Sequence, residues 1–307
     1  MKTMKIVTIV CWIISALVLI GLILWFLTGS IFGAWTGGWG NWTFGNRIGG
    51  WENLTGPFET DGVYNVATAG VDSLKIDWVA GEVTVKSHEG NDIQITELAQ
   101  RTLRDNEKLK YGVAGNTLEI KFRESGIGSA SMPQKRLEVL VPYELSQNLQ
   151  TISVDSVSGG IIITDMVASS LNSSTTSGNI NATGNYNYTD LNSVSGSITL
   201  NNQALGSTAD IDTISGSMDL QGAFGKVLAN TVSGRISVIS TQVPSSFKAD
   251  SISGSIDITL PGDAGIAVNH TSVSGRLQSD LPITTGGKGA QFEISTVSGT
   301  TTIKALW

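Results

Sequence analysis

The sequence predicts an all-β fold, a parallel β-solenoid with coils of about 20 residues, preceded by one N-terminal transmembrane α-helix. Three observations predict it. A Ser-Gly turn recurs at a nearly fixed spacing, apolar and polar residues alternate on both sides of that turn, and a long uncharged apolar run lies near the N-terminus. A repeat of this length is typical of solenoids, the alternation of half-buried strands, and the apolar run of a membrane helix.

The N-terminal region predicts a membrane anchor. A tail of residues 1–5 precedes 22 uncharged residues, 6–27, and a helix of that length spans about 30 Å of hydrocarbon. Lys2 and Lys5 come before it, and the next basic residue is Arg47. We therefore expect a single-pass protein of the cell membrane that contacts the lipid bilayer through 6–27, with a cytoplasmic N-terminus and an extracytoplasmic C-terminal domain. A cleaved signal peptide is the alternative.

The region between this segment and the repeats predicts a linker. Residues 28–70 are rich in glycine and tryptophan, a composition typical of a tether with aromatic anchors at a membrane surface; a stacking platform for sugar or nucleic acid is the alternative for the tryptophans. The solenoid domain is predicted over 71–307. Alternation begins at Leu74, and Gly81 occupies the position of the later turn glycines, which predicts the corner of a first coil. Residues 87–150 break the period and are highly charged, which predicts an insertion or cap.

The repeated turn reads Ser or Thr, then Val, Ile or Thr, then Ser, then Gly, and it occurs eight times. Glycine is expected at the corner because positive φ costs other residues about 1–2 kcal/mol. We predict that the residue two positions before the glycine, apolar in seven of eight turns, points inward. The residues two and four positions after it are predicted to be inward strand positions. The corner glycines are Gly159, Gly178, Gly196, Gly216, Gly234, Gly254, Gly275 and Gly299.

The coils are predicted to stack in sequence order with parallel strands. Ala305, Leu306 and Trp307 are then expected to cover the far end.

The formal net charge of −7 argues against binding to nucleic acid, whose phosphates need clustered cations. The single cysteine, Cys11, lies in the apolar run, so the rest of the chain forms no disulfide.

The sequence contains no catalytic constellation that we recognise. Ser245–Lys248 has the Ser-x-x-Lys pattern without its companion motifs. His88 and His270 are the only histidines, too few for a metal site of the usual type, and Gly286–Gln291 lacks the aspartate of calcium-binding repeats. We predict no catalytic residue, no metal site, no cofactor and no enzymatic activity.

Five aspartates of the repeats are the remaining candidates for chemistry. Two of them lie three positions after a corner glycine, where the alternation predicts an outward side chain. We predict a solvated acidic stripe; a catalytic pair, as in polysaccharide-cleaving β-helices, or a divalent-cation site are the alternatives. The five are Asp210, Asp212, Asp219, Asp250 and Asp257.

The Ser-Gly corners, the opening Leu74 to Val85 and the strand Leu137–Pro142 resemble the bacterial DUF4097 family of adhesin-like β-strand-repeat proteins, over about residues 70 to 304. The resemblance implies a β-solenoid of the cell envelope, membrane-attached or exported, and no catalytic residue. We therefore predict a non-enzymatic adhesin-like binding or scaffolding module that contacts envelope protein or glycan through its solenoid surface. An accessory of an envelope-stress-sensing membrane complex is one alternative, and a polysaccharide-active enzyme is another.

Overall fold

The computed structural model describes residues 57–123, 134–284 and 289–306. In these residues eighteen strands form one continuous sheet, and the only helix, α1 (Tyr143–Ser146), has four residues. The strands that precede α1 are β1 (Glu59–Val66), β2 (Ser73–Ala80), β3 (Val83–His88), β4 (Ile93–Ala99), β5 (Lys110–Ala114), β6 (Thr117–Lys121) and β7 (Lys135–Pro142). Those that follow it are β8 (Leu149–Ser158), β9 (Ile161–Ser177), β10 (Ile180–Ser195), β11 (Ile198–Ser215), β12 (Met218–Ser233), β13 (Ile236–Ser240), β14 (Ser246–Ser253), β15 (Ile256–Pro261), β16 (Ile266–Ser279), β17 (Ile283–Thr284) and β18 (Ala290–Leu306).

The repeats form a stack of parallel coils. Strand β10 pairs in parallel with β9 on one side and β11 on the other, with Ile180 beside Ile161 and Ile198. These residues, two positions after a corner glycine, are fully buried, as are Ile163 and Leu200 two positions further on. The predicted inward positions after the corner are therefore confirmed, and equivalent side chains pack on each other along the stack.

The corner glycines form a column. Gly196 has a φ of +155°, as the turn predicted. In addition, a Cβ at Gly196 would lie 1.9 Å from the carbonyl oxygen of Gly178 in the preceding coil. The N–H of Gly196 donates to the carbonyl of Ser215 in the following coil at 3.1 Å. Glycine is thus required by the backbone conformation and also by the distance between neighbouring coils.

The residue two positions before each corner glycine points outward, so the prediction that it points inward is wrong. Val157 and Val194 are only half-buried, and Val273 is 68% exposed. The interior position belongs to the Ser or Thr one residue earlier, for example Ser156 at 1% exposure and Thr213 at 5%. The reason is that every second residue of the preceding strand points inward. Counting from the inward residues seven and five positions before the glycine, the next inward position is three before it, which holds the hydroxyl residue.

The inward hydroxyls form a buried column without partners. Within the described part of the chain none of these oxygens has a hydrogen-bond partner. An unpaired buried polar group costs about 1–3 kcal/mol. The hydroxyl residues are Ser156, Thr175, Ser193, Thr213, Thr231, Ser251, Ser272 and Thr296.

Replacement of one of these hydroxyls by a methyl group should stabilise the protein. We expect Thr213→Val to raise the free energy of unfolding by about 1 kcal/mol, because valine fills nearly the same volume and buries no unpaired oxygen. Chemical denaturation followed by circular dichroism measures the change. A loss of stability would show that the hydroxyl has a partner, such as a bound water.

The order of the last two coils is the reverse of their order in the sequence. Strand β18 lies between β14 and β15 on one side and β16 on the other, so that Gly299 is beside Gly275. The last residues of β18 pair with the end of β15, with Ala305 beside Leu260. Ala305 and Leu306 therefore do not cover the end of the stack, as the sequence had suggested, and Trp307 lies outside the described residues. Strand β16 forms the last coil.

At the opposite end the charged insertion supplies both a coil and a cap. Strands β6 and β7 pair in parallel with β2 and β3, placing Leu118 beside Leu74 and Leu137 beside Val83. Three antiparallel pairs complete this end: β5 pairs with β6, β4 pairs with β7, and β1 pairs with β4. Strand β1 comes from the segment 28–70 that we had assigned to a linker.

A buried ion pair joins this coil to the cap. Lys135 Nζ donates to Glu97 Oε1 at 2.7 Å and to the carbonyl oxygens of Glu107 and Phe122, and both side chains of the pair are fully buried. Glu97 also accepts from the Leu109 N–H at 3.0 Å. Burial lowers the pKa of Lys135 to about 8 and raises the pKa of Glu97. Each charge therefore depends on the other for its stabilisation.

The predicted fold class and location need correction in one respect. Across residues 57–123, 134–284 and 289–306, no helix is long and apolar enough to cross a membrane. The segment 6–27, to which we had assigned a transmembrane helix, lies outside the described residues. The fold class is therefore given as all-β without that helix, and the assignment to a single-pass protein of the cell membrane is withdrawn.

Candidate binding surface

The strand residues immediately before the corner glycines form one side of the stack, which we call the pre-corner wall. The strand residues after the glycines form another side, the post-corner wall. The outward residues two positions before each glycine, apolar except for Thr176, make a row on the pre-corner wall, the outer ridge. At about 4.8 Å per coil, its nine members extend over about 40 Å. In stack order the outer ridge consists of Val79, Val157, Thr176, Val194, Ile214, Val232, Ile252, Val297 and Val273.

A polar row runs beside the outer ridge, two positions earlier in each coil. Along much of the stack, aspartate side chains in this row alternate with asparagine, serine or threonine side chains. Some of these neighbours form hydrogen bonds from one coil to the next. Asn230 Nδ2 donates to Asp212 Oδ1 at 2.7 Å, and Ser174 Oγ donates to Asp155. The polar row consists of Asp77, Asp155, Ser174, Asn192, Asp212, Asn230, Asp250, Ser295 and Thr271.

Negative charge concentrates at the middle of this wall. Asp190 lies directly beside Asp210 in the sheet register, and Asp212 is on the same strand as Asp210. The pKa of Asp212 is raised to about 6, mainly by burial. The hydrogen bond from Asn230 lowers this pKa, whereas the negative charges of Asp210 and Asp190 raise it. Tyr188, 37% exposed, flanks these carboxylates. The region combines hydrogen-bond acceptors with one aromatic face.

The raised pKa of Asp212 predicts a pH-dependent stability. Well below pH 4 the group is protonated in both states, whereas well above pH 6 it is ionised in both and the folded state bears the whole cost of the buried charge. Stability should therefore fall as pH rises from about 4 to about 6. We expect Asp212→Asn, which keeps an acceptor for Asn230, to raise the free energy of unfolding by about 1–2 kcal/mol at pH 7.5 and by little at pH 4.

Urea unfolding at the two pH values tests this expectation. The matched control is Asp219→Asn, because the Asp219 side chain is exposed on the post-corner wall, and this substitution should change the free energy of unfolding by less than about 0.5 kcal/mol. Equal effects of the two substitutions at pH 7.5 would contradict the assignment.

The structure does not bring the five candidate aspartates together. Asp210, Asp212 and Asp250 lie on the pre-corner wall, whereas Asp219 and Asp257 lie on the post-corner wall, two coils apart on either side of Ser237. Two coil spacings amount to about 10 Å. Asp257 also lies 3.5 Å from Arg235 Nε. These positions do not form a carboxylate pair around one substrate bond.

The other sequence candidates are also separate. His88 Nε2 lies 3.0 Å from the carbonyl oxygen of Asp92 in the turn after β3, and His270 lies in the last coil with its pKa lowered by burial. The described residues contain no group of three His, Cys, Asp or Glu side chains suited to a metal ion. Ser245 Oγ donates to the carbonyl oxygen of Gly225 at 2.9 Å. Part of Gly286–Gln291 lies outside the described residues.

The outer ridge is the feature that sequence reasoning missed. Its apolar residues were visible at a fixed position in the turn, but we assigned them to the core. The signal that could have placed them correctly is the parity of the preceding strand: if positions seven and five before the glycine are inward, position three is inward and position two is outward.

Comparisons with known proteins agree with this architecture. The model of the Toastrack DUF4097 family matches residues 71–304. A "putative adhesin" from Parabacteroides distasonis has a TM-score of 0.52 at 12% identity, covering 81% of this chain and 98% of that one. A "putative adhesin" from Bacteroides fragilis has a TM-score of 0.50 at 16% identity, covering 82% and 99%. Such identities show a shared fold alone.

A third solved structure, a "putative lipid binding protein" from Parabacteroides distasonis, has a TM-score of 0.49 at 16% identity, covering 81% of this chain and 98% of that one. No curated protein matches the chain. The family match covers the whole stack of coils from the first strand pair at Leu74 to Lys304 in β18. The chain therefore belongs to the Toastrack DUF4097 family.

Proposed function

We propose that this chain is a non-enzymatic, adhesin-like surface module that binds glycan along its pre-corner wall. The observation that carries the proposal is the outer ridge: a row of branched side chains over nine coils, apolar in eight of them and partly open to solvent, next to the polar row. Extended repeat surfaces are used for binding in many solenoids. Two solved structures of this fold, with TM-scores of 0.52 and 0.50, are each named "putative adhesin".

The chemistry of the wall favours an uncharged or cationic glycan. Carboxylate and amide oxygens of the polar row accept hydrogen bonds from hydroxyl or amino groups. The half-buried Val194 and Ile214 supply apolar surface for the C–H faces of sugar rings, and Tyr188 adds an aromatic face. The acids at the centre of the wall would repel an anionic polymer. Since the candidate carboxylates are dispersed over two walls, binding without cleavage is the function that this geometry supports.

A glycan array tests the proposal. The full chain, fluorescently labelled, is applied to an array of neutral, amino-substituted and acidic glycans. We expect binding to neutral or amino sugars, and a loss of at least about tenfold in affinity for the double variant Val194→Lys with Val232→Lys, since two long charged side chains would interrupt the outer ridge.

The matched control is Thr199→Lys with Ser237→Lys, which places the same charges on outward positions of the post-corner wall. This variant should bind like the unchanged protein. An array without any signal would exclude glycan binding, and an equal loss in both double variants would show that the wall is not the site. Binding to immobilised envelope protein in place of glycan would also overturn the proposal.

A further inference from the structure

The last coil of the stack has an open edge. Strand β16 pairs with β18 along its whole length on one side. On the other side β17 covers only Ile266 and Ala267. Among the described residues nothing pairs with the edge from Asn269 to Ser279, which we call the terminal edge. Eleven residues of backbone are thus left for solvent or for another strand.

The directions of the hydrogen bonds between coils show which backbone donors are exposed at this edge. In the preceding coils the corner glycine donates its N–H to the next coil, as Gly234 does to Ser253 and Gly254 to Ser298, at 3.1 and 3.2 Å. The residue two positions later also donates forward, as Ile236 does to Ser255. By the same directions the N–H groups of Gly275 and Leu277 point off the end of the stack.

The two ends of the stack differ in how their edges are protected. At the cap end, β1 contains a register shift between Thr60 and Gly62, and β5 has only five residues and begins at Lys110. Bulges, short strands and charges are common devices that prevent edge-to-edge association. The terminal edge has no proline and a single charged side chain, Arg276, and it carries the exposed Val273. It lacks the devices that protect the cap end.

The corner restricts a parallel partner of this edge but not an antiparallel one. In each coil a Cβ at the corner would lie about 2 Å from a carbonyl oxygen of the preceding coil, so a strand that continued the stack in parallel around the bend would need glycine there. In an antiparallel second copy of β16 the same Cβ position faces back into that copy's own stack, toward Gly299, and leaves the contact between the two copies free. Two copies of the terminal edge would also meet with only one charged side chain each, so electrostatic repulsion between them is small.

We propose that the terminal edge pairs with the same edge of a second copy of this chain, forming a two-fold symmetric dimer. The two β16 strands run antiparallel, because a two-fold axis relates them. The cap covers the opposite end of each copy, so the association closes at two chains and does not continue into a fibre.

Site-specific crosslinking tests the contact. In a Cys11→Ser background of the full chain, Val273→Cys places a thiol near the middle of the terminal edge, whereas Leu205→Cys places one at an 84% exposed position in the middle of the stack. We expect mild oxidation to convert most of the Val273→Cys protein, and little of the Leu205→Cys protein, into disulfide-linked dimer. Equal crosslinking of the two variants would overturn the proposal.

Sedimentation provides an independent measurement on the same full chain. We expect a dimer over about a hundredfold range of protein concentration, and at least about tenfold weaker association for Val273→Asp, which adds a charge at an exposed position without removing a core contact. A monomer at all concentrations, which would also result if another segment of this chain covered the edge, would contradict the proposal. So would a dimer that Val273→Asp leaves unchanged.

Discussion

Gly196→Ala should destabilise the protein by about 4 kcal/mol, the sum of two costs. The φ of +155° strains a residue that carries a Cβ by about 1–2 kcal/mol. The new Cβ would also lie 1.9 Å from the carbonyl oxygen and 2.6 Å from the carbonyl carbon of Gly178, and overpacking of this kind costs about 1–3 kcal/mol. The atoms in the way belong to the backbone, so relief requires that two coils separate and lose their hydrogen bonds.

Denaturant unfolding followed by circular dichroism measures this loss, which should lower the melting temperature by roughly 8 to 16 °C. The matched control is Gly112→Ala in the exposed strand β5, where a Cβ would meet nothing within 4 Å. Its effect should stay within about 0.5 kcal/mol. If the two substitutions had equal effects, close contact between the corners would not be the reason for the glycines.

Lys135→Met should cost about 3–5 kcal/mol, because it leaves the Glu97 carboxylate in the core without its cation. Methionine fills the space of the lysine stem beside Trp78 and Phe122, whose ring centroids lie 5.1 and 3.9 Å from Nζ. The loss should therefore come from the charge and not from a cavity. The double variant with Glu97→Gln should recover part of it, since glutamine still accepts from Leu109 and needs no counter-charge.

The same substitution at a surface ion pair is the control. Lys86 Nζ lies 2.6 Å from Glu138 Oε1, with both side chains partly exposed, so Lys86→Met should change stability by less than about 1 kcal/mol. Hydrogen exchange should show that Lys135→Met acts first on β4 to β7, because neighbouring contacts dominate in a stack of repeats. Equal destabilisation by Lys135→Met and Lys86→Met would contradict a special role for the buried pair.

The sequence alone determined the repeat and its local structure. The regular return of Ser-Gly predicted the corners, and the alternation around Ile198 and Leu200 predicted which side chains are buried, since both depend only on residues near one another in the chain. The resemblance to the DUF4097 family rested on the same repeats. The order of the coils could not be predicted in this way, because the strands of the last two coils have similar patterns and either order buries their apolar residues.

Only the tertiary structure decided which coil ends the stack and which buried charges pair. The placement of Gly275 beyond Gly299 leaves the terminal edge open. The pairing of Lys135 with Glu97 likewise joins residues 38 positions apart. Each of these features depends on which strands become neighbours in space, and local periodicity contains no information about that choice.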